Sequence, residues 1–149
     1  MTAPIFRPAT PLDAGRIGAI LSGWIDETAW MPRIHTRAED IAHAGMMVDR
    51  GWVTVAEQNG IVAGFLARDA EDIHALYIDA AQRGQQLGKE LLNAAKAQCD
   101  ALSLWTFQQN SGAQNFYTRH GFEEVARTDG ATNDEGLPDI RYHWQRTSQ

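Results

Sequence analysis

With 149 residues and a mass of 16.5 kDa, the chain has the size of one domain (residues 1–149), large enough to bury a core without disulfide or metal staples. Thirteen Lys and Arg against 19 Asp and Glu give a formal net charge of −6, so the surface has no general attraction for a phosphate backbone, and nucleic acid is not an expected partner. Cys99 is the single cysteine, which excludes an intramolecular disulfide and a multi-cysteine zinc site. No apolar run approaches the ~20 residues of a membrane-spanning helix, and the first residues lack a basic stretch followed by an apolar one. The expectation is a cytoplasmic protein with no membrane partner; a homodimer is compatible with it.

Residues 5–9 read as a short strand, and Pro8 places it at a sheet edge or strand end. Thr10-Pro11-Leu12-Asp13 signals a helix start, with Ile17, Ile20, Leu21 and Trp24 at the 3–4 spacing of one buried face. Trp30-Met31-Pro32-Arg33 interrupts, because a residue before proline is pushed out of helical geometry. A second helix opens after Thr36, carries Ile41 and Met46 or Met47 inward, and ends at Gly51. Residues 52–57 and 61–67 are strands joined by Asn59-Gly60, a strong hairpin signal. Residues 73–78 form a strand apolar on both faces, hence central. The period then changes: Leu87, Leu91, Ala95, Cys99 and Leu102 make one helical stripe, on which Cys99 is a small core residue. A core strand at 104–107, a short helix at 111–120 stopped by Gly121, and strands at 122–127 and 140–144 around a polar loop complete the chain. The order β-α-α-β-β-β-α-β-α-β-β predicts an α/β layered fold with a mixed, mostly antiparallel sheet flanked by helices.

The informative segment runs from Leu76 to Lys89, where a central strand ends, a loop with two glycines follows and a helix begins. Unpaired N–H groups and about half a positive charge of macrodipole collect at such a helix start. Glycine lets a phosphate approach the backbone, and Arg83 and Lys89 add positive charge, so the segment is a candidate anion cradle. The other reading of the same glycines is a tight strand-to-helix turn. The Walker spacing fails because Glu90 occupies the hydroxyl position, and the dinucleotide-binding GxGxxG is absent.

Arg83-Gly84-Gln85-Gln86-Leu87-Gly88 resembles the Arg/Gln-x-x-Gly-x-Gly/Ala signature of the GCN5-related N-acetyltransferase (GNAT) family, with Gln86 where the middle glycine is usual. Asn110-Ser111-Gly112-Ala113-Gln114-Asn115-Phe116-Tyr117-Thr118-Arg119-His120-Gly121-Phe122 is similar to the family's Asn-x-x-Ala-x-x-Phe/Leu-Tyr-x-x-x-Gly-Phe at every marked position. The resemblance covers residues 50–127. It implies acetyl-CoA as co-substrate. Main-chain groups of Leu76, Tyr77 and Ile78 would then pair with the pantetheine arm, and the amides from Gly84 through Gln85, Gln86 and Leu87 to Gly88 and Lys89 would hold the pyrophosphate. Asn110 would bond the pantetheine, Ala113 and Phe116 would pack along it, and Tyr117 would protonate the departing thiolate.

Elementary chemistry supports the tyrosine, since a phenol of pKa ~10 is a reasonable donor to a thiol of pKa ~8.5–10. An amine of pKa ~10.4 lies about 4.6 kcal/mol from its nucleophilic form at pH 7, so a base is expected too. The family's frequent glutamate on the strand before the Asn motif is missing from residues 104–108. His74 is the best titratable candidate, with Asp72, Glu71 or a water chain as other routes. In this fold the break between the first two helices shapes the acceptor pocket, which nominates Trp30, Met31, Arg33 and His35; Trp24, Trp105 and Trp144 are mostly core. The histidines show no metal-ligand spacing, and no metal is expected. With no acyl-enzyme nucleophile in the motif, the expected activity is direct acetyl transfer to a primary amine of a small molecule or peptide. The competing reading is a non-catalytic acyl-CoA-binding sensor or interaction domain.

Overall fold

The structure is a computed structural model that describes residues 3–147. In chain order it contains β1 (Ile5–Pro8), a 3-10 turn (Pro11–Asp13), α1 (Ala14–Glu27), α2 (Arg37–Asp49), β2 (Val53–Gln58), β3 (Ile61–Asp69) and β4 (Asp72–Ile78). A second 3-10 turn (Ala80–Gln82) leads to α3 (Leu87–Gln98), β5 (Ala101–Phe107), α4 (Ser111–Arg119), β6 (Glu123–Thr128) and β7 (Asp139–Gln145). The strands form one seven-stranded sheet in the order β1-β2-β3-β4-β5-β7-β6, in which β4 and β5 are parallel and the other neighbours antiparallel.

Local chemistry explains the elements. Asn59 and Gly60 stand at φ 54° and 81°, the paired left-handed geometry of the tightest hairpins. Thr36 and Glu39 close a reciprocal capping box at the start of α2. Gly18 on α1 lets α2 come close: a Cβ there would lie 2.7 Å from the Cα of Ile41. Ile17, Ile20, Met47 and Phe65 form the core between α1, α2 and the sheet, while Leu91, Leu92, Leu102 and Ile140 form the core on the opposite face, with Tyr117 and Phe122.

Three expectations are corrected. The stripe from Leu87 does not continue to Leu102: α3 ends at Gln98, Cys99 is extended at φ −134°, and Leu102 is buried on β5. A strand alternating Leu102, Leu104 and Thr106 inward starts earlier than the helical period suggested. Ile41 is 42% exposed; Met47 does turn inward, joined by Asp40, Ala44 and Val48. Trp24 and Trp144 are half-buried rather than core, and Trp105 is exposed beneath the Arg141 guanidinium.

Two features of β4 place the site. Pairing with β5 is confined to Asp72 with Ser103 and Ile73 with Leu104, so the two strands splay apart beyond Ile73. Against β3 the register passes from Ile73 to Ala75 and skips His74. That bulge puts Ile73, Leu76 and Ile78 on the α3 face, and Ala75 and Tyr77 on the α1–α2 face.

Candidate active site

The splay leaves a narrow cleft of about 90 Å³, walled by His74 to Tyr77 of β4, Leu104 to Phe107 of β5, and Asn110, Ala113 and Tyr117 of α4. Leu76, Tyr77 and Ile78 pair with β3 on one side and with no strand on the other, so the outward main-chain groups of this stretch, other than the Ile78 carbonyl that Arg83 holds, are available to an extended ligand. Asn110 caps α4, its Oδ1 accepting from Ala113 N–H at 3.0 Å; its amide nitrogen remains a donor beside the cleft. Tyr117 is 8% exposed, with its ring against Phe116, Phe122 and Tyr142. Burial raises its pKa well above the usual tyrosine range, with a smaller contribution from Tyr77. The hydroxyl therefore keeps its proton at any physiological pH.

Past the Ile78 end of the same strand edge lies a cavity of about 630 Å³, between Ile78, the 83–89 loop and α4. Gln86 precedes α3 at φ 64°, ψ 19° and makes no side-chain cap bond, so the first-turn amides of α3 have no intrahelical partner. Gly84 stands at φ 85°, with nothing within 4 Å of where a Cβ would lie. Gly88 is helical, and a Cβ there would meet Phe116 at 3.6 Å and Ile78 at 3.8 Å. Arg83, Lys89, Arg119 and His120 line this cavity and no carboxylate does. Burial and the neighbouring Lys96, Arg119 and Lys89 lower the His120 pKa, leaving it a neutral donor. Arg83 donates from Nε to the Ile78 carbonyl at 3.2 Å and pairs with Glu27 of α1. The residues present thus fit a phosphorylated ligand with an extended polar arm. The sequence reading had overlooked Arg119 and His120, which follow directly from the Asn110–Tyr117 motif on the same helix.

At the other end lies a cavity of about 530 Å³ beneath α1 and α2. Met31, His35 and His74 line it. His74, the bulge residue, borders both this cavity and the cleft, and its ring stacks on Trp52 at 4.8 Å. Trp30 instead contacts Trp24 and Phe107 across the mouth of the cleft, at 5.9 and 5.8 Å. Arg33 is engaged elsewhere: its guanidinium bonds Asp26, Asp40 and the Ser22 hydroxyl and carbonyl, bracing the α1–α2 connection. Glu39, Asp40, Asp134 and Glu135 border the cavity, with no lysine or arginine. Asp134 and Glu135 come from the 129–138 loop, which sequence reading treated as a polar connection; nothing local in the sequence reveals that it reaches across the sheet. Among the described residues no group of three His, Cys, Asp or Glu could hold a metal ion.

Comparison with known proteins agrees with this geometry. Residues 49–124 match the model of the acetyltransferase (GNAT) domain family, and the chain belongs to that family, which uses acetyl-CoA. It is 36% identical over 87 residues to peptidyl-lysine N-acetyltransferase YjaB of Salmonella typhimurium, a match covering 58% of each chain; the alignment thus spans little more than half of that relative. The solution structure of apo-form YjaB from Escherichia coli superimposes with a TM-score of 0.81 at 20% identity, over 98% of this chain and 100% of that one. The structure of yncA from Salmonella typhimurium with its cofactor acetyl-CoA gives a TM-score of 0.74 at 22% identity, over 99% and 96%. Both likenesses concern the fold.

Proposed function

We propose that residues 1–149 act as one acetyl-CoA-dependent N-acetyltransferase unit that passes the acetyl group directly to a primary amine of a small molecule or peptide. The observation that carries this reading is a charge arrangement. A cation-lined cavity lies past the Ile78 end of an unpaired strand edge, a carboxylate-lined cavity shares His74 and Tyr77 with the cleft along that edge, and Tyr117 stands in the cleft. Donor phosphates suit the first cavity and an acceptor ammonium the second.

Acetyl-CoA supplies the thioester whose C–S bond breaks as the amine nitrogen bonds the carbonyl carbon. The free amides of the 84–89 loop, with Arg83, Lys89 and Arg119, hold negative charge at one end. The outward main-chain groups of Leu76, Tyr77 and Ile78, with the Asn110 amide, orient the arm. His74, placed on the acceptor side by the bulge, takes the proton the ammonium must lose. Tyr117 gives its proton to the sulfur at the opposite end of the reaction. Because burial raises the Tyr117 phenol, it would be a weak donor to a thiol in water; in the same buried cleft the thiolate is destabilised as well, which narrows the mismatch. The relative YjaB is a peptidyl-lysine N-acetyltransferase, which supports a lysine ε-amine as the acceptor here, and a cytoplasmic location suits the same reading.

Calorimetric binding of acetyl-CoA followed by thiol release across an amine panel tests the proposal. Binding with thiol release on at least one amine is the expected result. Binding without thiol release on any amine would instead identify a non-catalytic acyl-CoA sensor.

A further inference from the structure

We propose that Glu135 is the specificity-determining residue for ammonium-bearing acceptors, meeting the acceptor's cation inside the cavity beside Tyr77; this rests on the acetyltransferase reading above. Glu135 lies between β6 and β7, remote in sequence from every motif residue. The connection that carries it is tied into one shape. Asn133 Nδ2 donates to the Leu137 carbonyl at 2.7 Å and to Asp139 at 3.2 Å, its Oδ1 accepts from Leu137 N–H at 3.2 Å, and the Thr128 hydroxyl bonds Asp139. Gly130 closes the neck at φ 83°, where a Cβ would fall 2.3 Å from the Leu137 carbonyl. A loop closed this tightly holds its acidic tip in place.

That place is the wall of the acceptor cavity. Of the other carboxylates there, Asp40 pairs with Arg33, Glu39 caps α2 and faces His35, and Asp134 is exposed. Glu135 is half-buried, and among the described residues no lysine or arginine pairs with it. Its charge reaches Tyr77, whose phenol burial chiefly, and Glu135 secondarily, push up to about 12. Tyr77 lines both the cavity and the cleft, so Glu135 stands next to a residue that borders the reacting centre. Another part of the cavity's lining is apolar, with Leu21, Ile25, Met31 and Met47. An aliphatic stem against that wall, with its ammonium toward Glu135, satisfies both surfaces.

The test uses two soluble probes, N-acetyl-lysine methylamide and its neutral counterpart N-acetyl-norleucine methylamide. Each is titrated into CoA-loaded protein and followed by calorimetry. Thiol release from acetyl-CoA with the lysine probe is measured in parallel. Wild type should bind the lysine probe roughly 10–100-fold more tightly than the neutral one, the range of a hydrogen bond to a charged group. Glu135→Gln, nearly isosteric, should erase that preference, raise KM far more than it lowers kcat, and flatten the rise of KM with salt. Glu135→Asp should restore part of the preference. A cation preference and salt slope that persist in Glu135→Gln would overturn the proposal, as would a lysine probe that fails to bind wild type. A Glu135-dependent preference without thiol release would sustain it while refuting acetyl transfer. Thiol release with a KM indifferent to Glu135 would do the reverse.

Discussion

Tyr77 and Tyr117 face one cleft from opposite walls, the first on a strand and the second on a helix, and their proximity adds to burial in keeping the Tyr117 hydroxyl protonated. Two phenols in one dry space disfavour a phenolate on either. The two phenols therefore offer protons to the cleft and accept none from it.

Removing the Tyr117 oxygen should separate chemistry from binding. General-acid catalysis contributes typically 10²–10⁴-fold, so Tyr117→Phe should lower kcat by about that factor. Acetyl-CoA affinity should change little, because the ring still packs on Phe122 and Tyr142. Loss in kcat with binding retained marks an interaction made mainly in the transition state. Full activity in Tyr117→Phe would make water the proton donor.

His74 makes a different mark on the kinetics. If it takes the acceptor's proton, His74→Ala should remove the rising limb of the kcat/KM profile against pH for an aliphatic amine, while acetyl-CoA binding holds. An unaltered profile would hand the role to water, since Asp72 faces Arg141 at the far end of β4.

The donor loop yields a pair of opposed expectations. Gln86 sits at φ 64°, a conformation that costs a residue with a Cβ roughly 1–2 kcal/mol. Gln86→Gly should relieve that strain, less glycine's greater freedom when unfolded, for a net gain of up to about 1 kcal/mol and a Tm a few degrees higher. Acetyl-CoA affinity should be equal or better. Gly88→Asp should leave the fold intact, because its Cβ meets only ordinary contacts and an acidic side chain suits a helix start. It should nonetheless abolish acetyl-CoA binding by setting like charge in the phosphate cavity. Unchanged affinity in folded Gly88→Asp would remove the 84–89 loop from the site.

Stability carries its own pH signature. The Arg7 guanidinium bonds both oxygens of Asp13, at 2.8 and 3.1 Å, and holds that carboxyl down at about 2 from 3.8. A depressed folded pKa stabilises above the unfolded value and ceases to do so as pH falls through the folded one. Asp13→Asn should thus cost about 2 kcal/mol at pH 7, with the difference closing between about pH 4 and pH 2. Urea unfolding at several pH values measures it.

Where sequence and structure agree, the signal was local. Asn59-Gly60 and the Thr36–Glu39 box each determine a turn or a helix start by their own hydrogen bonds and dihedrals, and the two motifs placed the 83–89 loop and α4. The strand order beyond β4 was not legible, because β7 slips between β5 and β6 through contacts distant in sequence. Leu102 was misread since a leucine seven residues after Ala95 suits a helix as well as a strand. Gln86 illustrates another limit: its departure from the family glycine was visible, but the left-handed backbone that makes glycine usual there was not. The acceptor side was least legible. Glu135 and Asp134 gain a role only through the fold, and Arg33, a natural ligand on paper, is consumed by Asp26, Asp40 and Ser22.

The splayed β4–β5 pair also bears on self-association. A strand with unpaired N–H and C=O groups invites another chain to add on, and exposed edges are where sheets aggregate. Here the open edge lies in the interior of the sheet, between β4 and β5, with α4 on one face and Trp24 and Trp30 of the α1–α2 segment near the other. An added polypeptide strand would bring side chains onto both faces, against α4 on one and Trp24 and Trp30 on the other. The protein keeps hydrogen-bonding groups ready for a slender, side-chain-free ligand while denying them to its own copies. Selectivity for the ligand and resistance to fibre-like pairing follow from the same gap.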